Sequence, residues 1–239
     1  MKHRLSNTFG KNTVTSKERE KLVRSVFKRV AGRYDLMNDL MSMGIHRLWK
    51  WKFCREVSKT MGSTFVDLAG GTGDIANALI SQERDMLIID TSEEMMHVAQ
   101  KRLGDQCQYI AAAAENIPLE DNSVDVLTIS FGIRNATDIA KSLQEISRVL
   151  KPGGQFFCLE FSTPHWWLRP FYDGWSRLVI PRLGALVAGH PDAYNYLIES
   201  IREFPGQQEM ANMISTAGLS QISYSNLSFG IACIHRAAK

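Results

Sequence analysis

The segment FVDLAGGTGD, Phe65 to Asp74, sets Gly70, Gly71 and Gly73 between an apolar run and the helical pattern Ile75, Ala76, Ala78, Leu79, Ile80. Missing side chains at such a turn let backbone N–H groups approach a ligand at the start of the helix. Spacing alone leaves two cofactors open. Gly71 to Ala76 satisfies the dinucleotide fingerprint G-x-G-x-x-A, and Asp90 stands 17 residues beyond Gly73, near the distance used for a ribose contact. Charge separates the two. A pyrophosphate at the helix N-terminus would meet the carboxylates of Asp67 and Asp74, whereas the ammonium and sulfonium of S-adenosylmethionine would be attracted by them. The turn is therefore read as an S-adenosylmethionine site, with a nicotinamide-binding oxidoreductase as the alternative. Asp90 can accept ribose hydroxyls; its other reading is the N-cap of the next helix, a position Thr91 and Ser92 suit equally.

The elements that position these residues follow a regular order. Phe65 to Leu68, Met86 to Ile89, Gln108 to Ala112, Val124 to Ser130 and Gln155 to Phe161 read as strands, and helical patterns separate most of them, notably Ser92 to Leu103 and Asp138 to Leu150. Alternating β and α units predict a parallel sheet covered on both faces. After a helix near Gln207 to Ala217, Ser220 to Tyr224 and Phe229 to His235 read as an antiparallel hairpin, which brings the sheet to seven strands. Residues 163–204 read as a helical insertion and residues 17–61 as a helical lid. In the lid Leu22, Val23, Val26, Phe27 and Val30 recur at helical spacing behind the capping residue Ser16. Residues 1–16 read as a flexible arm, and the whole chain as a single α/β domain.

The 239 residues are enough for one substantial core, and 44% hydrophobic with 22% charged residues is a globular balance. Cys54, Cys107, Cys158 and Cys233 are scattered without metal-binding spacing, which predicts a reducing compartment and no metal centre. No secretory signal and no apolar run of spanning length is evident. A net charge of +3 argues against general nucleic-acid binding, but its distribution is uneven. Residues 1–60 hold 15 Lys and Arg against 5 Asp and Glu, a local +10, and the remainder holds 13 against 20, or −7. The basic quarter reads either as solvated helix faces or as a surface drawn to anionic lipid.

Beyond the turn, the blocks VFKRVAGRYDLMNDLMSMGIHRLWK, LTISFGIRNATD, RVLKPGGQFFCLEFSTP, YLIESIREFPGQ and NLSFGIACIHR run in order along the chain. Together with DLAGGTGD they resemble the ubiquinone/menaquinone biosynthesis C-methyltransferases, from about Val23 to Lys239. The resemblance implies a class I S-adenosylmethionine-dependent methyltransferase fold, Rossmann-like, acting on a ring carbon of a polyprenylated quinol. It implies cofactor contacts at Thr72, Asp90, Ala113, Ala114 and Ser130, alongside Asp67, Gly71 and Gly73 from the turn. Where the family commonly has Asn-Ala-Glu this chain has Ala113-Ala114-Glu115, so a contact at 113 must come from backbone.

A quinol ring carbon becomes nucleophilic when a neighbouring hydroxyl loses its proton, which calls for a proton acceptor and a stabiliser of the oxyanion. Arg134 and Asn135, directly after the fourth strand, are assigned to that work, Arg134 through its charge. Tyr34, Asp35, Asn38 and His46 are assigned to a lid folding over the cofactor, Tyr34 and Asp35 as further catalytic residues, and there Met37, Met41 and Met43 can pack either a prenyl chain or the core. Glu160 is expected on the ligand rim. Trp166, Trp167, Tyr172, Tyr194 and Tyr196 line a tunnel or pack the base of the insertion, and His97 is an ordinary surface residue. A methyltransferase of another small hydrophobic molecule remains open. The expected location is cytoplasmic, peripheral at the inner face of the membrane, and a homo-oligomer is also open.

Overall fold

Successive residues of the central strands feed two different cores, which is what a sheet covered on both faces requires. In a computed structural model, which describes residues 8, 9, 12–15, 18, 19, 21–23, 25, 38, 39, 42–178 and 191–239, Met86 and Ile88 join one cluster while Leu87 and Ile89 join the other. Phe156, Phe157, Cys158 and Leu159 alternate in the same way. The elements are α1 (Ile45–Val57), β1 (Thr64–Leu68), α2 (Asp74–Leu79), β2 (Asp85–Asp90), α3 (Glu93–Leu103), β3 (Cys107–Ala111) and β4 (Val124–Ser130). They continue with α4 (Ile139–Val149), β5 (Leu150–Phe161), α5 (Arg169–Leu178), α6 (Pro191–Glu203), α7 (Gln207–Thr216), β6 (Ser220–Leu227) and β7 (Ala232–Ala238).

Among the described residues these strands form a seven-stranded sheet in the order β3-β2-β1-β4-β5-β7-β6. Neighbours from β3 to β5 are parallel, and β7 runs antiparallel to both β5 and β6. Trp49 and Phe53 of α1, Leu79 of α2 and Leu103 of α3 cover one face; Leu143 and Ile146 of α4 and Met210 and Ile214 of α7 cover the other. Local chemistry fixes the helix starts. The Ser92 hydroxyl accepts from Met95 N–H and Asp138 from Lys141 N–H, so the competition at residues 90–92 for the cap of α3 goes to Ser92.

Several expected boundaries move. Helical structure at the N-terminus is capped by Thr15: its N–H donates to Glu18 and its hydroxyl accepts from Glu18 N–H, a reciprocal pair that satisfies two backbone donors. Thr8–Phe9 pairs with Asn12–Thr13, within the stretch read as an arm. β5 begins at Leu150 because Lys151–Gly154 form a bulge: the register passes from Val124↔Leu150 to Val126↔Gln155. Gly153 N–H donates to Lys239 O at 2.9 Å and Lys239 N–H to Gly154 O at 3.0 Å, which ties the chain end into the bulge. Phe229 belongs to the turn rather than to β7, since its φ of 57° cannot continue a strand. No described helix is long and apolar enough to cross a membrane.

Candidate active site

The sheet order reverses between β1 and β4, so the loops leaving them diverge and open a crevice at the carboxyl edge. Both strands end in a residue forced into left-handed backbone, Ala69 (φ 52°) and Phe131 (φ 55°). Such conformations cost of order 1–3 kcal/mol in a non-glycine residue and concentrate at functional sites. A side chain at Gly132 would put its Cβ 2.5 Å from Ala69 Cβ, so the two turns touch and 132 must be glycine. Between them lies a cavity of about 410 Å³.

The cofactor assignments separate into lining and supporting residues. Asp67, Gly71, Thr72, Asp90, Ala113, Ala114 and Ser130 all line the cavity. Gly73 does not. Its φ is +79°, and an added Cβ would sit 2.8 Å from Leu103 Cδ1, so this glycine serves the packing of the turn against α3. Asp90 holds the loop: Oδ2 accepts Gly71 N–H at 2.9 Å and Oδ1 accepts Ser92 N–H at 2.8 Å. A carboxylate offers about four acceptor sites, and Asp90 lines the cavity, so it can also accept from a ligand hydroxyl.

Asp67 and Asp74 turn out to be unlike. The buried Asp67 carboxylate accepts from Thr128 Oγ1 at 2.9 Å through Oδ1, and its Oδ2 is buried without a partner. Burial pushes its pKa up to about 7, against the opposing Thr128 hydrogen bond. Asp74 instead meets Lys50 Nζ at 3.0 Å and also the Arg102 guanidinium. Burial would raise its pKa, but these two cations overcome that and hold it below the ordinary range. Asp74 is thus neutralised by the protein, and the attraction for a cation that the sequence assigned to both groups rests on Asp67 and Asp90. An orphaned acidic oxygen at Asp67 and the orphaned, buried Ser130 hydroxyl fit a cationic, multiply hydroxylated cofactor better than a pyrophosphate.

The catalytic assignments divide in the same way. Asn135 lines the cavity. Arg134 does not; it is 2% exposed and lies behind the rim. Its Nη1 donates to Glu160 Oε1 at 2.8 Å and to the Phe131 carbonyl, its N–H donates to Glu160 Oε2 at 3.4 Å, and its guanidinium stands 5.4 Å from the Phe161 ring centroid. Glu160 is 1% exposed, and burial raises its pKa despite the adjacent Arg134 charge. The expectations that Arg134 holds the substrate directly and that Glu160 faces the ligand rim are therefore corrected: a buried carboxylate requires a counter-charge, and Arg134 supplies it beneath the turn.

Tyr34 and Asp35, with Met37 and Met41, lie outside the described residues, as does the side chain of Tyr194. His46 is buried on α1, its Nδ1 2.9 Å from the Ser42 hydroxyl, and does not line the cavity. Trp166 is 83% exposed and Trp167 stacks edge-on against Phe229, so neither lines the cavity. His97 is exposed, as expected. Sequence reasoning missed Lys50, which reaches the cavity from α1, and Thr128, which fixes Asp67. It also missed Glu115, whose carboxylate accepts the Thr137 and Asp138 amides at 2.5 and 3.0 Å. Only Glu115 carried a signal, as a lone acid beside the two cofactor-loop alanines.

Comparison with known proteins agrees with this geometry. Residues 13–239 match the model of the ubiE/COQ5 methyltransferase family. The chain is 57% identical over 231 residues to the ubiquinone/menaquinone biosynthesis C-methyltransferase UbiE of Rubrivivax gelatinosus, covering 97% of this chain and 92% of that one. It is 46% identical over 242 residues to the UbiE of Brucella canis, covering 97% and 90%. Among solved structures, an S-adenosylmethionine-dependent methyltransferase of Thermotoga maritima superposes with a TM-score of 0.67 at 20% identity, covering 91% of this chain and 99% of that one. One from Aquifex aeolicus gives 0.56 at 19% identity, covering 79% and 88%. With a family model matched over residues 13–239 and relatives aligned along nearly the whole chain, the chain belongs to the ubiE/COQ5 methyltransferase family.

Proposed function

We propose that this chain transfers a methyl group from S-adenosylmethionine to a ring carbon of a polyprenylated quinol, in ubiquinone or menaquinone biosynthesis. The observation that carries this reading is the cavity at the β1/β4 crevice, acidic at Asp67 and Asp90, in a chain 57% identical to a UbiE C-methyltransferase over nearly its whole length. S-adenosylmethionine supplies, when bound, a methyl group on a positively charged sulfur, a good leaving group. The protein's part is orientation and charge placement.

Asp90 accepts the ribose hydroxyls, Asp67 receives the ammonium through its orphaned oxygen, and the backbone at Ala113 and Ala114 with the Ser130 hydroxyl borders the rest of the cofactor. Asn135 stands on the acceptor side, where its side-chain amide can donate to the quinol oxygen and stabilise charge that develops as the hydroxyl is deprotonated. Arg134 acts from behind: with Glu160 it fixes the Phe131–Asn135 turn.

A prenylated substrate resides in lipid, so we assign the basic first quarter a peripheral role at an anionic membrane face, each nearby basic residue contributing about 1 kcal/mol. Salt-sensitive binding to vesicles containing anionic lipid tests this assignment; indifference to lipid charge removes it. The substrate reading is tested by incubating the protein with S-adenosylmethionine and demethylmenaquinol or a polyprenyl methoxybenzoquinol and locating the added methyl by mass spectrometry. Methyl on a ring carbon is expected, and methyl on oxygen or nitrogen, or none, overturns the reading.

A further inference from the structure

Asn135 is held from behind by residues far away in sequence. The Tyr196 hydroxyl donates to Asn135 Oδ1 at 3.0 Å and accepts from Arg19 Nη2 at 3.4 Å. Arg19, fully buried, also donates from Nη1 to the carbonyls of Asn135 and Ala136 at 3.3 and 3.0 Å, and from Nη2 to that of Arg134 at 3.3 Å. One guanidinium therefore caps three consecutive carbonyls of the turn that carries Asn135. Burying a charged fork of this kind is costly unless its donors are used; Nε is buried without a partner, while Nη1 and Nη2 both converge on one short segment of the cavity wall.

The direction of these bonds matters. An amide side chain can present either its oxygen or its NH2 to a ligand, and the partner of the other end decides which. Arg19 can only donate, so the Tyr196 oxygen accepts from it and the Tyr196 proton is left for Asn135. Burial raises the Tyr196 pKa, keeping that proton in place. With Oδ1 engaged from behind, Asn135 faces the cavity with its donor end; one Nδ2 hydrogen lies toward Phe131 O at 3.5 Å and the other is available to an acceptor.

We propose that Tyr196 and Arg19 are positioning residues that lock the Asn135 side-chain amide with its NH2 group toward the methyl acceptor's oxygen. This rests on the quinol reading above and adds the residues that set the polarity of its acceptor site. It also gives the N-terminal helix a direct role, since Arg19 from that helix closes the relay.

Tyr196→Phe removes the hydroxyl and keeps the ring. We expect kcat for quinol methylation to fall about tenfold, with S-adenosylhomocysteine affinity unchanged and the protein still folded. In the Asn135→Ala background the same substitution should cost nothing further, because residues acting as a unit are not additive. In the cofactor-free protein the 15N–1H pair of the Asn135 side-chain amide, identified by its loss in Asn135→Ala, should shift in Tyr196→Phe. Arg19→Lys, which keeps the charge but not the fork, provides a second variant and should shift the same pair. A wild-type chain that methylates no quinol overturns the substrate reading and this role with it. An active wild type beside an equally active Tyr196→Phe, losses that multiply in the double variant, or an unmoved amide pair overturns the positioning role alone.

Discussion

The turns after β1 and β4 start alike and are held in opposite ways. Each opens with a left-handed non-glycine residue, and they touch at Ala69 and Gly132. The β1 turn is fixed from within the β-α unit that follows it: Gly71 N–H on Asp90, and Gly73 packed against Ala99 and Leu103. The β4 turn, besides Glu160 of the following strand β5, is held from distant parts of the chain, by Arg19 more than 110 residues before it and by Tyr196 61 residues after Asn135. The β1 turn is therefore built within one supersecondary unit, and the β4 turn is assembled from separate segments.

Substitutions on either side of the crevice should break or sharpen that contrast. The largest effect is expected at the β4 turn, where Arg134→Ala leaves Glu160 buried without its counter-charge. Stability should fall by about 3–5 kcal/mol in urea unfolding; a loss below about 1 kcal/mol would show that the pair does not hold the turn. At the β1 turn, Asp90→Ala should weaken S-adenosylhomocysteine binding by about 100-fold in calorimetry with the fold retained, since charge-assisted bonds contribute about 1.5–3 kcal/mol each. Unchanged affinity would remove Asp90 from the cofactor site.

Asp67 should give a pH signature. Its pKa of about 7 in the free protein means that it carries a proton below that pH and a charge above it. The cofactor's ammonium selects the charged form, so affinity for S-adenosylhomocysteine should rise with pH and level off above about 7, and fall by about tenfold for each pH unit below it. Asp67→Asn should flatten this dependence, and a slope that persists would place the titrating group elsewhere. The smallest effect is expected at Asp74, which Lys50 and Arg102 already neutralise. Asp74→Asn should change affinity by no more than about threefold; a loss as large as that of Asp90→Ala would restore the direct role the sequence suggested.

Where the sequence was legible, the reason is local. The Val124–Ser130 strand was read to the residue, because a β-branched run bounded by polar turns admits few other structures. Where it misled, a partner lay elsewhere in the chain. Asp67 and Asp74 look equivalent on either side of one turn, and only Lys50 from α1 and Arg102 from α3 make them different. Arg134 looks like a rim residue because it follows a strand end, and only the neighbouring strand reveals Glu160 beneath it. Strand β5 starts five residues earlier than its apolar run because Lys239, at the end of the chain beside it after β7, pairs with the glycines of its bulge.

By itself, then, the sequence determined the β-α order, the glycine turn, Asp90 after the second strand and, through its linked motif blocks, the family. These depend on periodicity and on backbone chemistry within a few residues, which a linear string preserves. Only the tertiary structure decided which carboxylate stays available to a cation, that Arg134 supports the site from behind, and that Arg19 and Tyr196 reach Asn135. Those outcomes depend on burial and on pairing between distant segments. Burial sets whether a charge must be neutralised, and pairing sets which neighbour does it.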